Sequence, residues 1–192
     1  MIVFTRHGKT DESENGIFQG MLDTGLNADG MEQASRLADF CRKLRINRIY
    51  SSPLQRAFQT ASIVSEKLGI PVVVDDRLKE ICYGSWEGMA HGELDSAVIE
   101  KRKADIFNFI HPGSFNGMKG ESYSVLVDRL KSFTEDRAPQ ENENVLVVSH
   151  KGICRAARIL MEGMQPQHAF EINQSTSQAY MVSGSAAKTE EF

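Results

Sequence analysis

Two histidines stand just beyond apolar runs at opposite ends of the chain. Ile2-Val3-Phe4 leads through Thr5 into Arg6-His7-Gly8, and Val145-Leu146-Val147-Val148 leads into Ser149-His150-Lys151-Gly152. A short β-rich run bounded by a turn signal reads as a buried strand. The loop leaving such a strand is where open α/β sheets bind ligands. Each histidine has a cation beside it and a glycine after it, so the pair points to chemistry on an anion, a phosphoryl group first of all.

Hydrolysis of a phosphate monoester is extremely slow without help. It calls for a nucleophile or activated water, cations on the equatorial oxygens and a proton for the leaving oxygen. His7 is the candidate nucleophile, because a neutral imidazole can attack phosphorus and split one hard step into two. Arg6 beside it disfavours the imidazolium and keeps the lone pair available. Arg56, early in the helix after Ser51-Ser52-Pro53-Leu54-Gln55, can grip a phosphate bidentately as lysine cannot. His150, protonated, can donate to a transferring oxygen, with amides near Lys151 and Gly152 adding donors. Glu80, in Leu78-Lys79-Glu80-Ile81, can protonate the leaving alkoxide and then deprotonate water. Each residue alone also has a bland reading: a histidine satisfied at a strand end, a solvated helix arginine, a surface glutamate. The second histidine at an equivalent strand end makes coincidence harder to sustain.

Strand and helix signals alternate, as in a largely parallel sheet covered by helices. Asn27 is placed to cap a helix running to about Leu44, with Met31, Ala34, Leu37, Ala38 and Cys41 at helical spacing. Arg48-Ile49-Tyr50 reads as a second strand. Pro53 suits the first turn of the next helix with Ser52 as cap, Leu54, Ala57, Phe58, Ala61 and Val64 on its apolar face, and Gly69 at its end. Pro71–Val74 is a third strand. The glycine-rich segment of about 84–120, with a helix around Leu94–Phe109, reads as a small helical lid insertion over the carboxyl edge of the sheet. Ser122 is placed to cap a helix bearing Val125, Leu126, Leu130 and Phe133, and a further helix follows from about Gly152 to Met161. Ala179–Val182 reads as an antiparallel edge strand, and residues of about 184–192 as a frayed tail. The expected fold class is α/β, a three-layer sandwich with a mostly parallel central sheet, formed by residues 1–192 as a single domain.

The chain has 192 residues, enough for one domain with a sizeable core, and 41% hydrophobic and 25% charged residues fit an ordinary globular protein. A net charge of -4 argues against a dedicated nucleic-acid binder. No apolar stretch is long enough to span a membrane, and Arg6 and His7 interrupt the N-terminal apolar run as a signal peptide would not. Cys41, Cys82 and Cys154 lack metal-ligand or disulfide-framework spacing. A cytoplasmic location is expected, and a homo-oligomer is left open.

The ordered series Thr5-Arg6-His7-Gly8-Lys9-Thr10, Phe18-Gln19-Gly20-Met21-Leu22-Asp23, Gly30-Met31-Glu32-Gln33-Ala34 and Ser51-Ser52-Pro53-Leu54-Gln55-Arg56-Ala57 resembles the histidine phosphatase superfamily, also called phosphoglycerate mutase-like. Leu78-Lys79-Glu80, Gly84-Ser85-Trp86-Glu87-Gly88, Gly120-Glu121-Ser122 and Val148-Ser149-His150-Lys151-Gly152 complete the series. The resemblance implies that His7 is the phosphorylated nucleophile, that Arg6, Arg56 and His150 form the phosphate pocket, and that Glu80 is the proton donor. No metal or cofactor is implied, and the partner would be a small phosphorylated metabolite. Gly8, Lys9, Thr10, Gln19, Gly20 and Lys151 become candidate substrate contacts. Where relatives have a phosphate-contacting Asn, this chain has Ser13, unless Asn15 substitutes from a shifted loop. Lys9 and Lys151, in place of commoner Glu and Gly, should make the entrance more basic and favour a second anionic group on the substrate. Family mutases carry a paired-arginine signature in a longer lid. Here Lys101-Arg102-Lys103 reads as a solvated helix face, which favours the hydrolase branch over phosphoglycerate mutase-type transfer or an inactive phosphate-binding module.

Overall fold

Six strands carry the sheet in the computed structural model, which describes all 192 residues, Met1–Phe192. They are β1 (Ile2–Arg6), β2 (Arg48–Ser51), β3 (Val72–Val74), β6 (Val145–Ser149), β7 (Gln178–Ser183) and β8 (Ala186–Glu191), with β4 (Ser114–Phe115) and β5 (Met118–Lys119) forming a separate hairpin. The sheet order is β3-β2-β6-β1-β7-β8. The first four strands run parallel; β7 is antiparallel to β1, and β8 to β7. Helices α2 (Ala28–Lys43) and α3 (Gln55–Leu68) pack together on one face, α5 (Tyr123–Asp136) and α6 (Lys151–Glu162) on the other. Alternation along β1 serves both faces. Ile2 and Phe4 enter the core under α5 and α6, whereas Val3 enters the core under α2 and α3. The fold is the α/β, mostly parallel sandwich that the strand–helix alternation implies.

β6 lies between β1 and β2, and all five of its residues are buried. The chain leaving β1 proceeds to α2 on one face, and the chain leaving β6 enters α6 on the other. Adjacent parallel strands whose connections diverge in this way open a crevice at their carboxyl ends.

Two expectations at the C-terminal end are corrected. Ala179–Val182 is not an edge strand, because β8 covers it, and residues 186–191 are not frayed. They pair with β7 over six positions, Gln178 opposite Glu191 through Ser183 opposite Ala186. Backbone pairing needs no apolar side chains, and charged residues suit an exposed edge. Helix boundaries also shift. Asn27 caps α2 by accepting from the Gly30 N–H, but Pro53 and Ser52 precede α3, whose N-cap is Leu54. Met31, Phe58 and Val125, placed on apolar faces by their spacing, are exposed. The helix expected over 94–109 is the shorter α4 (Ser96–Ala104). The four-residue α1 (Asp11–Glu14) and α7 (Pro166–Glu171) complete the set.

Candidate active site

The β1–β6 register builds the site. Arg6 lies opposite Ser149, and the His7 N–H donates to the Ser149 carbonyl at 2.9 Å, so His7 and His150 leave neighbouring strands side by side. Their ring centroids are 5.3 Å apart, and both side chains are buried.

His7 Nδ1 lies 2.7 Å from the Gly8 carbonyl. A carbonyl only accepts, so Nδ1 carries the proton and Nε2 of the neutral ring keeps its lone pair. Arg56 Nε donates to that Nε2 at 3.2 Å. Burial, followed by the charges of Arg56 and Arg6, holds the His7 pKa well below its ordinary value. Arg6, the cause expected from the sequence, ranks behind the other two.

Arg56 is held as a fork. Nη1 donates to the Leu22 carbonyl at 2.5 Å and Nη2 to the Gly20 carbonyl at 2.7 Å. Burial lowers its pKa to about 10. The accepting loop is braced in turn by the Glu87 carboxylate, which takes the N–H groups of Met21, Leu22 and Tyr83. Gly20 has φ +41°, and a Cβ there would fall on that carboxylate, so any other residue would strain the backbone and displace Glu87. Burial raises the Glu87 pKa to about 7.

His150 Nε2 shares a 2.8 Å hydrogen bond with the Ser52 hydroxyl. Burial and the neighbouring Arg56, His7 and Arg6 keep its pKa well below the usual histidine value. The imidazolium expected at His150 is therefore corrected to a neutral ring in this structure. Glu80 is also buried, its carboxylate accepting from the Ile81 N–H at 2.9 Å and the Gly152 N–H at 3.2 Å. That use of the Gly152 amide removes one of the donors expected at the start of α6.

These groups open on a cavity of about 630 Å³, within the range of small-molecule sites. Of the residues anticipated from the sequence, Arg6, His7, Ser13, Gln19, Gly20, Arg56, Glu80 and Lys151 line it, while His150 stands beside the His7 ring. Besides His150, four do not line it. Gly8 is buried, donates to Thr60 Oγ1 at 3.0 Å, and must be glycine because a Cβ would strike the Gly30 backbone. Lys9 is drawn away by ion pairs with Glu14 at 2.8 Å and Asp29 at 3.1 Å, so it adds no charge to the entrance. Thr10 caps α1 and accepts from Gln19 Nε2, and Asn15 turns back to the Asp11 carbonyl on the surface. Ser13, not Asn15, reaches the cavity.

Lys151 shares its part of the lining with residues that were not read from the sequence. Arg102 from α4, Arg155 from α6, and Asn173 lie there with Tyr83 and His91. Lys151 Nζ donates to Asn173 Oδ1 at 2.7 Å, and burial together with Arg155 and Arg6 lowers its pKa to about 8. The Nε atoms of Arg102 and Arg155 are buried with no protein partner. Lys101 and Lys103 are exposed but Arg102 is half-buried, so the solvated-face reading fails for the middle residue of that run. Consecutive helical residues differ by about 100° in direction, so three in a row cannot share one face.

A sheet that delivers two histidines to one crevice at its carboxyl edge, where the helix after β2 adds the Arg56 guanidinium, defines a class of anion-handling α/β enzymes. Residues 2–189 match the model of the histidine phosphatase superfamily (branch 1), and the chain belongs to that family as a phosphatase-type hydrolase. It is 34% identical over 173 residues to the putative phosphoserine phosphatase 2 of Hydrogenobacter thermophilus, covering 90% of this chain and 83% of the relative. Similarity to the glucosyl-3-phosphoglycerate phosphatase of Mycolicibacterium vanbaalenii is 32%, covering 85% and 74%. In three dimensions the chain resembles a mycobacterial glucosyl-3-phosphoglycerate phosphatase solved in complex with VO3, with a TM-score of 0.79 and 27% identity, covering 100% and 97%. No helix is long and apolar enough to cross a membrane.

Proposed function

We propose that the chain is a metal-independent phosphomonoesterase that acts on a small phosphorylated metabolite through a phosphohistidine at His7. The observation that carries this reading is the tautomer of His7, whose proton is committed to the Gly8 carbonyl while Nε2 keeps its lone pair beside Arg56. In the first step Nε2 forms a bond to phosphorus and the bond from phosphorus to the leaving oxygen breaks. Glu80 gives that oxygen its proton. In the second step a water oxygen attacks phosphorus, the N–P bond breaks, and the water proton passes to the Glu80 carboxylate. Arg6 and Arg56 offset the charge on the equatorial oxygens, and His150 donates through the ring nitrogen that bears its proton.

The wall of Arg102, Lys151 and Arg155 supports a substrate with a second anionic group. Two relatives are named for phosphoserine and glucosyl-3-phosphoglycerate, phosphate esters that carry a carboxylate. Phosphate release is to be screened over phosphorylated metabolites, with 3-phosphoglycerate followed in parallel for isomerisation. Fastest release from small esters bearing a carboxylate is the expected result. Isomerisation outpacing release would instead make the chain a mutase, and no turnover of any ester would make it a binding module.

A further inference from the structure

Glu80 sits in a stretch with neither helix nor strand, between two short 3-10 turns at Asp76–Leu78 and Gly84–Trp86. A general acid must nevertheless be held to a fraction of an ångström, since small misplacements cost large factors in rate. Two side chains outside the cavity tether its backbone. Arg129, on α5, donates through Nη1 to the carbonyls of Arg77 at 3.0 Å and Lys79 at 3.1 Å, and through Nη2 to the carbonyl of Glu80 itself at 3.2 Å. Nη2 also meets Glu121 Oε2 at 3.0 Å. Glu121 fastens the other side of the same stretch. Its carboxylate accepts from the Cys82 N–H at 2.9 Å, and its own N–H donates to the Cys82 carbonyl at 2.9 Å.

We infer that Arg129, oriented by Glu121, is a positioning residue for Glu80 that governs proton transfer to the leaving group and leaves phosphate binding alone; this rests on the acid role given to Glu80 above. A planar guanidinium suits three carbonyls converging from one bend of the chain, and lysine lacks that fork. The helix does not need Arg129 for its seat, because Leu126, Leu130 and Phe133 are buried in the core beneath it. Arg77 gives a built-in comparison. It also ties the turn at Asp76–Leu78 to α5, through Ser132 and Asp136, but makes no bond to Glu80.

The test compares kcat and KM on an aryl phosphate, whose phenolate leaves unaided, with those on an alkyl phosphate, whose alkoxide needs the proton. Arg129→Met should lose about tenfold or more in kcat on the alkyl ester, with KM and the aryl rate nearly unchanged. Arg129→Lys should recover part of that loss and serves if the methionine variant folds poorly, and Arg77→Ala should show no such selectivity. Added to Glu80→Gln, Arg129→Met should cost little more, because groups acting as one unit are not additive. A selective loss in Glu80→Gln with an unselective or fully additive loss in Arg129→Met overturns the positioning role alone. Equal losses on both esters in Glu80→Gln overturn the acid reading, and the positioning role with it. The same selectivity in Arg77→Ala would reduce the effect to a loosened loop.

Discussion

At the scale of single residues, the chemistry depends on one proton at His7. Because burial, Arg56 and Arg6 all disfavour the imidazolium, the ring stays neutral well into the acid range. Lowering the pH from 7.5 to 6 should therefore leave kcat/KM for an aryl phosphate without an acidic limb near the ordinary histidine pKa, once substrate ionisation is corrected for. A limb centred near about 6.5 would contradict the assigned state. Glu80→Gln should slow alkyl esters by about a hundredfold or more and aryl esters far less, as loss of a general acid does. Arg102, which lines the cavity and whose Nε lacks a protein partner, should matter only to a second anionic group on the substrate. Arg102→Ala is expected to raise KM about tenfold for a carboxylated phosphate ester, the worth of one charge-assisted bond, and to leave a plain alkyl phosphate nearly untouched. Matched steady-state measurements on the two esters check this.

At the scale of elements, what the sequence made legible and what it hid have separate physical causes. His7 and His150 were readable because a hydrophobic run fixes a strand, and a strand end fixes where the next residue goes. Arg56 and Glu80 were not readable by periodicity, since one lies on a helix and the other in irregular chain; only the ordered motifs singled them out. Arg102, Arg155 and Asn173, which join Lys151 in the lining, stayed hidden because they come from three separate segments that only tertiary packing brings together. Lys9 misled for the reverse reason, because Glu14 and Asp29 capture it after folding. β8 escaped notice because its six residues are held by backbone pairing and carry small or charged side chains. Arg158 adds a 2.7 Å bond to Thr189, and the Phe192 ring packs 5.7 Å from that of Phe40. Deleting residues 184–192 should lower the Tm by about 5 °C or more and promote association through the uncovered β7. Calorimetry and light scattering on the truncated chain would show it, and an unchanged Tm would mean that β8 is dispensable.

For the whole molecule, stability and activity meet in the buried titratable groups. His111 lies among the rings of Trp86, Tyr83 and Phe109, donates to the Glu121 carbonyl at 2.7 Å, and is lowered by burial to a pKa of about 4. The unfolded chain protonates this ring near 6.5 and the native chain does not, so the unfolded state binds more protons between these values. Stability from this group is complete above about 6.5 and drains away as pH falls towards 4, on the order of 3 kcal/mol in all. Glu87, raised to about 7, works in the opposite sense, since its contribution is present at low pH and is lost as pH rises from about 4.5 through 7. Denaturant midpoints of the native chain and of His111→Asn at pH 7 and pH 5 should isolate the histidine from the opposing Glu87 contribution, the variant's midpoint at pH 5 relative to pH 7 lying higher than the native chain's. The central claim, covalent transfer to His7, is tested most directly by quenching the protein during turnover and weighing it intact, then locating the modification. The account predicts one phosphoryl group per chain, labile to acid, stable to alkali and carried on His7, and none on His7→Ala. Turnover at the full rate by His7→Ala, or a phosphoryl group on any other residue, would contradict it.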